Sequence, residues 1–155
     1  MCEHCGCQGI PAIEVLTREH DEALDHIRTA SQAMGAADDP AIQRACSRLA
    51  ALLRPHTQVE EQALFPALRA EFPQQIAVLV GEHRRFERTL AEAADPAARS
   101  TGWQELLTTA LEDLRHHIQK EQDGVFPAAL SILTPSQWDQ LERVRRGAPT
   151  QSASA

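Results

Sequence analysis

Apolar residues recur along this chain at three- and four-residue steps in four long stretches, the spacing of one helix face. The first carries Ile13, Leu16, Leu24 and Ile27. It opens at Pro11, which suits a first helical turn because the missing N–H has no intrahelical partner there. Gly35 and the Ala-Asp-Asp-Pro run predict a stop and a new start, with Asp39 as N-cap and Pro40 in the first turn. The second stretch carries Ile42, Cys46, Leu49 and Leu53 and runs to Phe65-Pro66. Pro55 lies inside it and predicts a lost backbone hydrogen bond and a bend. Phe72-Pro73 starts the third, with Ile76, Leu79, Val80, Phe86 and Leu90, and Asp95-Pro96 closes it. Ser100 or Thr101 is the expected cap of the fourth, which presents Leu106, Ala110 and Leu114 and ends at Phe126-Pro127. A fifth, short helix is announced by a capping box at Thr134 and Gln137 and stops at Gly147.

Short connections make successive helices antiparallel, so the pattern predicts an all-α, up-and-down four-helix bundle with a short C-terminal helix. The chain divides into a cysteine-rich N-terminal segment (1–10), the bundle (11–147) and a small, polar, disordered tail (148–155). Composition agrees: aromatics make up only 4% and tyrosine is absent, which disfavours sheets. The 155 residues suffice for one domain with its own core.

Charge narrows the partners. The net charge of −7 is spread among interspersed acids and bases, leaving no basic stripe for a nucleic acid. No apolar run approaches the roughly 20 residues that span a bilayer. The N-terminus has no charged region followed by an apolar core, so no secretory signal is read and a cytoplasmic location is expected.

The chemistry lies in polar residues set into the apolar stripes. Residues 56–68 and 117–129 are two versions of one phrase: a His, a Glu four residues later, and a closing Phe-Pro. His56 and Glu60, like His117 and Glu121, therefore share a helix face about 6 Å apart along the axis. Glu19-His20 and Glu82-His83 repeat at a shift of 63 residues, close to the 61-residue shift of the phrases. Each half of the chain thus offers one lone His and one His-x-x-x-Glu. Taken singly, a lone His reads as a core residue and a His-x-x-x-Glu as a surface pair. Together, His20, His56, Glu60, His83, His117 and Glu121 would place two carboxylates and four imidazoles in one small core, at several kcal/mol per unpaired charge unless cations take the lone pairs. A dinuclear metal centre follows.

In this order and spacing the motifs resemble the haemerythrin-like (HHE) cation-binding domain, over residues of about 11 to 130. The resemblance implies a four-helix bundle around two Fe ions, a non-haem, oxo- or hydroxo-bridged di-iron centre. It implies further that Glu60 and Glu121 bridge the irons, with His20 and His56 completing one and His83 and His117 the other. The oxygen-carrying haemerythrins have a second His one turn after the helix-three His; here that place is Glu87. The fourth-helix carboxylate also follows its His by four residues rather than five. Glu87 is a candidate ligand or hydrogen-bond partner of one, against the plainer reading of a solvated helix residue. More carboxylate and fewer imidazoles favour the ferric state and open positions, moving the expectation from reversible oxygen carriage towards redox turnover, sensing or iron handling.

Around this set, His116 points about 100° away from His117 and is expected at the rim or surface. His26 has no counterpart in the second half and reads as structural or exposed. Asp21, Glu22 and Glu82 lie near the ligands and are candidate acceptors for imidazole N–H groups, with a solvated face the favoured account. Cys46 reads as a buried core residue. Cys2, His4, Cys5 and Cys7 crowd the head, suited to zinc or another soft metal, or to a redox pair feeding electrons to the irons.

The function expected is a non-haem di-iron protein that binds and reacts with small oxidants (hydrogen peroxide, oxygen or nitric oxide), a peroxide- or nitric-oxide-reactive oxidoreductase in the oxidative or nitrosative stress response. Its partners would be that small molecule or gas and an electron donor. The alternative is an iron- or oxygen-sensing, gas-binding or iron-donating protein without turnover; resemblance also reaches the iron–sulfur cluster repair proteins, which carry such a bundle behind a cysteine-bearing segment. A structural metal bundle filled by zinc ranks last. No phosphate loop, Ser-His-Asp spacing or nucleophile elbow is present.

Overall fold

The computed structural model describes residues 10–148, so Cys2, His4, Cys5, Cys7 and the tail from residue 149 lie outside the described residues. Within them the chain is helical, without a strand: α1 (Pro11–Gly35), α2 (Asp39–Val59), α3 (Phe65–Leu68), α4 (Pro73–Ala94), α5 (Trp103–Lys120), α6 (Phe126–Ile132) and α7 (Pro135–Gly147). Two joints are unusual. α2 runs into α3 through a π-helical turn, Glu60–Leu64, and α5 into α6 through a second, Glu121–Val125. Both begin on the carboxylate of the doubled phrase.

α1 packs on α2, α2 on α4, α4 on α5, and α5 returns to α1, closing a ring of four long helices. α7 lies against α1, α2 and the first π turn. Buried apolar side chains form two clusters. One gathers Ala23, Ile27, Leu49, Leu53, Phe86 and Leu114; the other gathers Leu16, Val59, Leu79, Phe65, Phe126 and Leu141. In α1, α2 and α4 the boundary between them falls at a histidine: His20 between Leu16 and Ala23, His56 between Leu53 and Val59, His83 between Leu79 and Phe86. A polar layer thus sits between two dry ones. Each fully buried leucine contributes about 1.5–3 kcal/mol, which holds that layer closed against water.

Several boundaries differ from those the pattern predicts. Asp38, not Asp39, caps α2, its carboxylate accepting the Ala41 N–H at 3.0 Å. Asp39 instead receives the Arg99 guanidinium, which also donates to the Ala93 carbonyl at 2.8 Å and stacks 3.8 Å from the Trp103 ring. One arginine therefore ties the start of α2 to the end of α4 and the start of α5. Neither Ser100 nor Thr101 caps α5; Gly102 does, at φ 81°, a left-handed conformation that glycine adopts without a Cβ penalty, while Ser100 donates to Glu92. The α5 stripe also moves by one residue. Leu107 and Leu111 are buried, whereas Leu106 is 51% exposed, because Leu107, Leu111, Leu114 and Ile118 share the face that carries His117. α2 continues through Pro55. The capping box at Thr134 and Gln137 forms as expected. Among the described residues no helix is long and apolar enough to cross a membrane.

Cys46 is fully buried, and burial pushes its thiol up to about 11. With Cys2, Cys5 and Cys7 changed to Ser, the native chain is expected to resist iodoacetamide at pH 8. Roughly one thiol in a thousand is ionised there, and none is accessible. Labelling should appear only as the chain unfolds in denaturant; rapid labelling of native protein would show that this part of the core opens.

Candidate metal centre

Each long helix delivers one imidazole to the polar layer, and the π turns deliver the carboxylates. His20, His56, Glu60, His83, His117 and Glu121 are all at most 4% exposed, and the four rings turn Nε2 inward. Glu121 spans the centre, with Oε2 3.1 Å from His20 Nε2 and Oε1 3.1 Å from His117 Nε2. Glu60 spans it the other way, with Oε1 3.2 Å from His56 Nε2 and Oε2 3.4 Å from His83 Nε2. Two sets of converging donors result: His20, His56, Glu60 and Glu121 in one, and His83, His117 and Glu121 in the other.

The outer ring nitrogens explain why the inner ones are free. His56 Nδ1 lies 2.7 Å from Glu19, His83 Nδ1 2.9 Å from Glu61, and His117 Nδ1 2.7 Å from Glu82. A carboxylate can only accept, so each Nδ1 carries a proton, and the inward Nε2 is the nitrogen left to bind a cation. His83 Nε2 and His117 Nε2 face each other at 3.0 Å, a contact that needs a proton or a cation between two lone pairs. All four carboxylate oxygens of Glu60 and Glu121 and both nitrogens of His20 are buried without a hydrogen bond among the described residues. Their contacts with the imidazoles have ion-pair distances but not hydrogen-bond geometry. Leaving so many buried polar atoms unsatisfied costs about 1–3 kcal/mol each, more where charge is involved. A cation coordinated by them removes that cost, so the donor set fits a metal.

Electrostatics says the same. Burial alone would lower the His56 imidazole; the charges of Glu60 and Glu121 and the contacts with Glu19 and Glu60 outweigh it and hold His56 well above the usual value. His117 is raised in the same way, burial being outweighed by Glu121, Glu82 and Glu60. Burial would raise the Glu121 carboxyl, but His117, His20 and His83 pull it well below the usual range. Five carboxylates face four imidazoles here, and protons on His56 and His117 offset part of that negative charge when no metal does.

The π turns account for the Phe-Pro of each phrase. In a continuous α-helix a proline ring meets the carbonyl four residues back. Here the Phe65 N–H reaches the Glu60 carbonyl and the Phe126 N–H the Glu121 carbonyl, five back, so Pro66 and Pro127 follow a widened turn. The widened turns bring Phe65 to stack on His83 at 5.6 Å and Phe126 on His20 at 5.4 Å, one ring roofing one imidazole in each half. Phe86 packs edge-on against His117 at 5.4 Å.

Between α2 and α4 a cavity of about 350 Å³ reaches this layer. His20, His56, His83 and His117 line it inside with the apolar Leu53 and Phe86, and Arg54, Gln58, Arg84 and Glu87 stand at its exposed rim.

Not every expected residue joins the site. Glu87 is exposed, at the cavity rim, and outside both donor sets. His116 is exposed, as its angle predicts, and His26 sits 3.7 Å from Glu22 away from the cluster. Asp21 and Glu22 are solvated. Glu82 is not: it accepts from His117 and from Lys120, and these donors hold its carboxyl below the usual range although burial raises it. Glu19 and Glu61 are the acceptors that the pattern left out. Glu19 was visible in the repeat, since Glu19-His20 and Glu82-His83 match as pairs.

No curated protein and no solved structure matches the chain. The family model of the Hemerythrin HHE cation binding domain does, over residues 11–129, a span that holds all six inward donors and the three outer carboxylates. With a buried cluster of His and Glu able to hold a cation and a family match over most of its length, the chain belongs to the haemerythrin HHE cation-binding family.

Proposed function

We propose that this chain is an up-and-down four-helix bundle that holds two iron ions and uses them to react with a small oxidant, hydrogen peroxide, oxygen or nitric oxide. One observation carries the reading: two sets of buried donors share the carboxylate of Glu121, which has no hydrogen bond among the described residues, and their imidazoles line one small cavity. His20 and His56 would hold one ion and His83 and His117 the other, with Glu60 and Glu121 between them. When bound, a ferrous pair supplies two electrons at once, so that one peroxide and two protons give two waters and two ferric ions.

The chain's own residues do the rest. Glu19, Glu61 and Glu82 fix three rings in the Nδ1–H form, so that Nε2 is available without a proton being lost during turnover. Leu53 and Phe86 make the cavity walls apolar, which admits peroxide or a diatomic gas and limits the water around it. The exposed rim between Arg54 and Glu87 is the path by which oxidant arrives, and an external donor must restore the electrons. Glu87 fits this scheme at the mouth, as a polar rim residue. Sensing without turnover, iron donation and nitric oxide binding share the same donors and cavity, so the measured reaction decides among them.

Iron-loaded protein is expected to consume hydrogen peroxide far faster than an equal amount of free iron, and His117→Ala to lose at least tenfold of that rate. Matching rates for wild type, variant and free iron would overturn the enzymatic reading. A stable charge-transfer band on exposure of the reduced protein to oxygen, reversed on its removal, would replace it with gas carriage.

A further inference from the structure

The two halves of the site repeat many of their contacts but not all of them. Glu19 in α1 serves His56, and its repeat partner Glu82 in α4 serves His117. Phe126 roofs His20 as Phe65 roofs His83. Glu61, next to Glu60, serves His83 Nδ1 at 2.9 Å. The residue next to Glu121 is Gln122, and the imidazole it should serve, His20, has a fully buried Nδ1 with no hydrogen-bond partner among the described residues. Three of the four rings are therefore backed by a carboxylate, and one is not.

We propose that Glu61 and the missing acceptor beside His20 make the two cation positions unequal, the one between His83 and His117 filling first and the one between His20 and His56 second. The inference rests on the two-cation reading above. A carboxylate behind an imidazole fixes its tautomer and orientation and raises its basicity, and losing such a partner typically weakens metal affinity about 10–100-fold. At the first position both rings have that support. At the second only His56 does, and His20 must bind with no carboxylate behind its outer nitrogen. A neutral Gln122 adds no charge to correct this. At limiting metal the chain accordingly holds one ion, bound to His83 and His117, and only a richer supply completes the pair.

Anaerobic titration of the metal-free full chain with cobalt(II), followed by calorimetry and visible absorption, tests this; Cys2→Ser, Cys5→Ser and Cys7→Ser keep the head thiols out of the signal. Two steps about 10–100-fold apart are expected. His20→Ala should abolish the weaker step and leave the tighter, and His117→Ala should abolish the tighter. Gln122→Glu should strengthen the weaker step about tenfold, while Gln119→Glu, the same charge on the exposed face of α5, should change neither. Two equal steps, the reverse assignment, or equal effects of Gln122→Glu and Gln119→Glu would overturn the proposal while leaving two cations in place. Fewer than two cobalt ions per chain would instead remove the two-cation reading itself.

Discussion

Loading the metal-free chain anaerobically with ferrous iron is expected to raise its melting temperature by roughly 8–16 °C, and a strong chelator to reverse the gain. A ligand that binds only the folded state at about 1,000 times its dissociation constant adds about 4 kcal/mol, and each kcal/mol moves a chain of this size by about 2–4 °C. The donors justify so large a shift. Glu60 and Glu121 are wholly buried with no hydrogen bond to any of their oxygens among the described residues, so the metal-free protein carries an unmet electrostatic demand at its centre. Changing both to Gln keeps the shape and removes the charge; the double variant should lose most of the iron-dependent shift while melting no lower than the metal-free parent. The sign with pH follows from the imidazoles. The carboxylates hold His56 and His117 above the usual imidazole value, so protons occupy the metal-free site and iron must displace them. The shift should therefore shrink as pH falls from 7.5 to 5.5. A shift that is absent, or unchanged in the double variant, would show that the buried donors do not hold the iron.

The helical periods and the repeat were legible because burial writes itself into spacing. A residue on the core face recurs every three or four positions, and His20, His56, His83 and His117 stood in those positions among leucines. What was not legible depended on geometry that spacing does not carry. The π turns are invisible to a 3.6-residue pattern, although three consecutive buried residues, Ala63, Leu64 and Phe65, just before Pro66 are the trace of the first. The start of α5 was misjudged because Ser and Thr look like caps wherever they stand, while Gly102 with its positive φ took the position. Glu61 carries no signal of its own in the sequence, and Glu82 reads there as a candidate acceptor with a solvated face favoured. Only a neighbouring helix turns them into acceptors, since Glu61 on the first π turn meets His83 of α4, and Glu82 on α4 meets His117 of α5. Glu87 shows the converse: its register next to a ligand turn was suggestive, but its side chain faces the rim.

Phe65→Ala is expected to destabilise the metal-free chain by about 3–5 kcal/mol, the range for removing a buried aromatic ring, and to lower its melting temperature by roughly 6–20 °C. Phe65 is completely buried, and it is both the residue that closes the first π hydrogen bond and the ring stacked on His83. Truncation therefore opens a void beside the His83 imidazole, and the wall cannot collapse into it without displacing that ring. Phe126→Ala should cost about as much, since Phe126 repeats each of those roles over His20. Phe72→Ala is the control. That phenylalanine is only partly buried, outside the π turns and away from the imidazoles, so its loss should cost well under half as much. The stacked pairs give a second readout, because the loosened ring is a different one in each variant. Phe65→Ala should weaken cation binding at the His83 and His117 position, and Phe126→Ala at the His20 and His56 position. If both phenylalanines cost no more than Phe72, or if each weakens both positions equally, the Phe-Pro of the doubled phrase serves the backbone turn alone and not the imidazole beneath it.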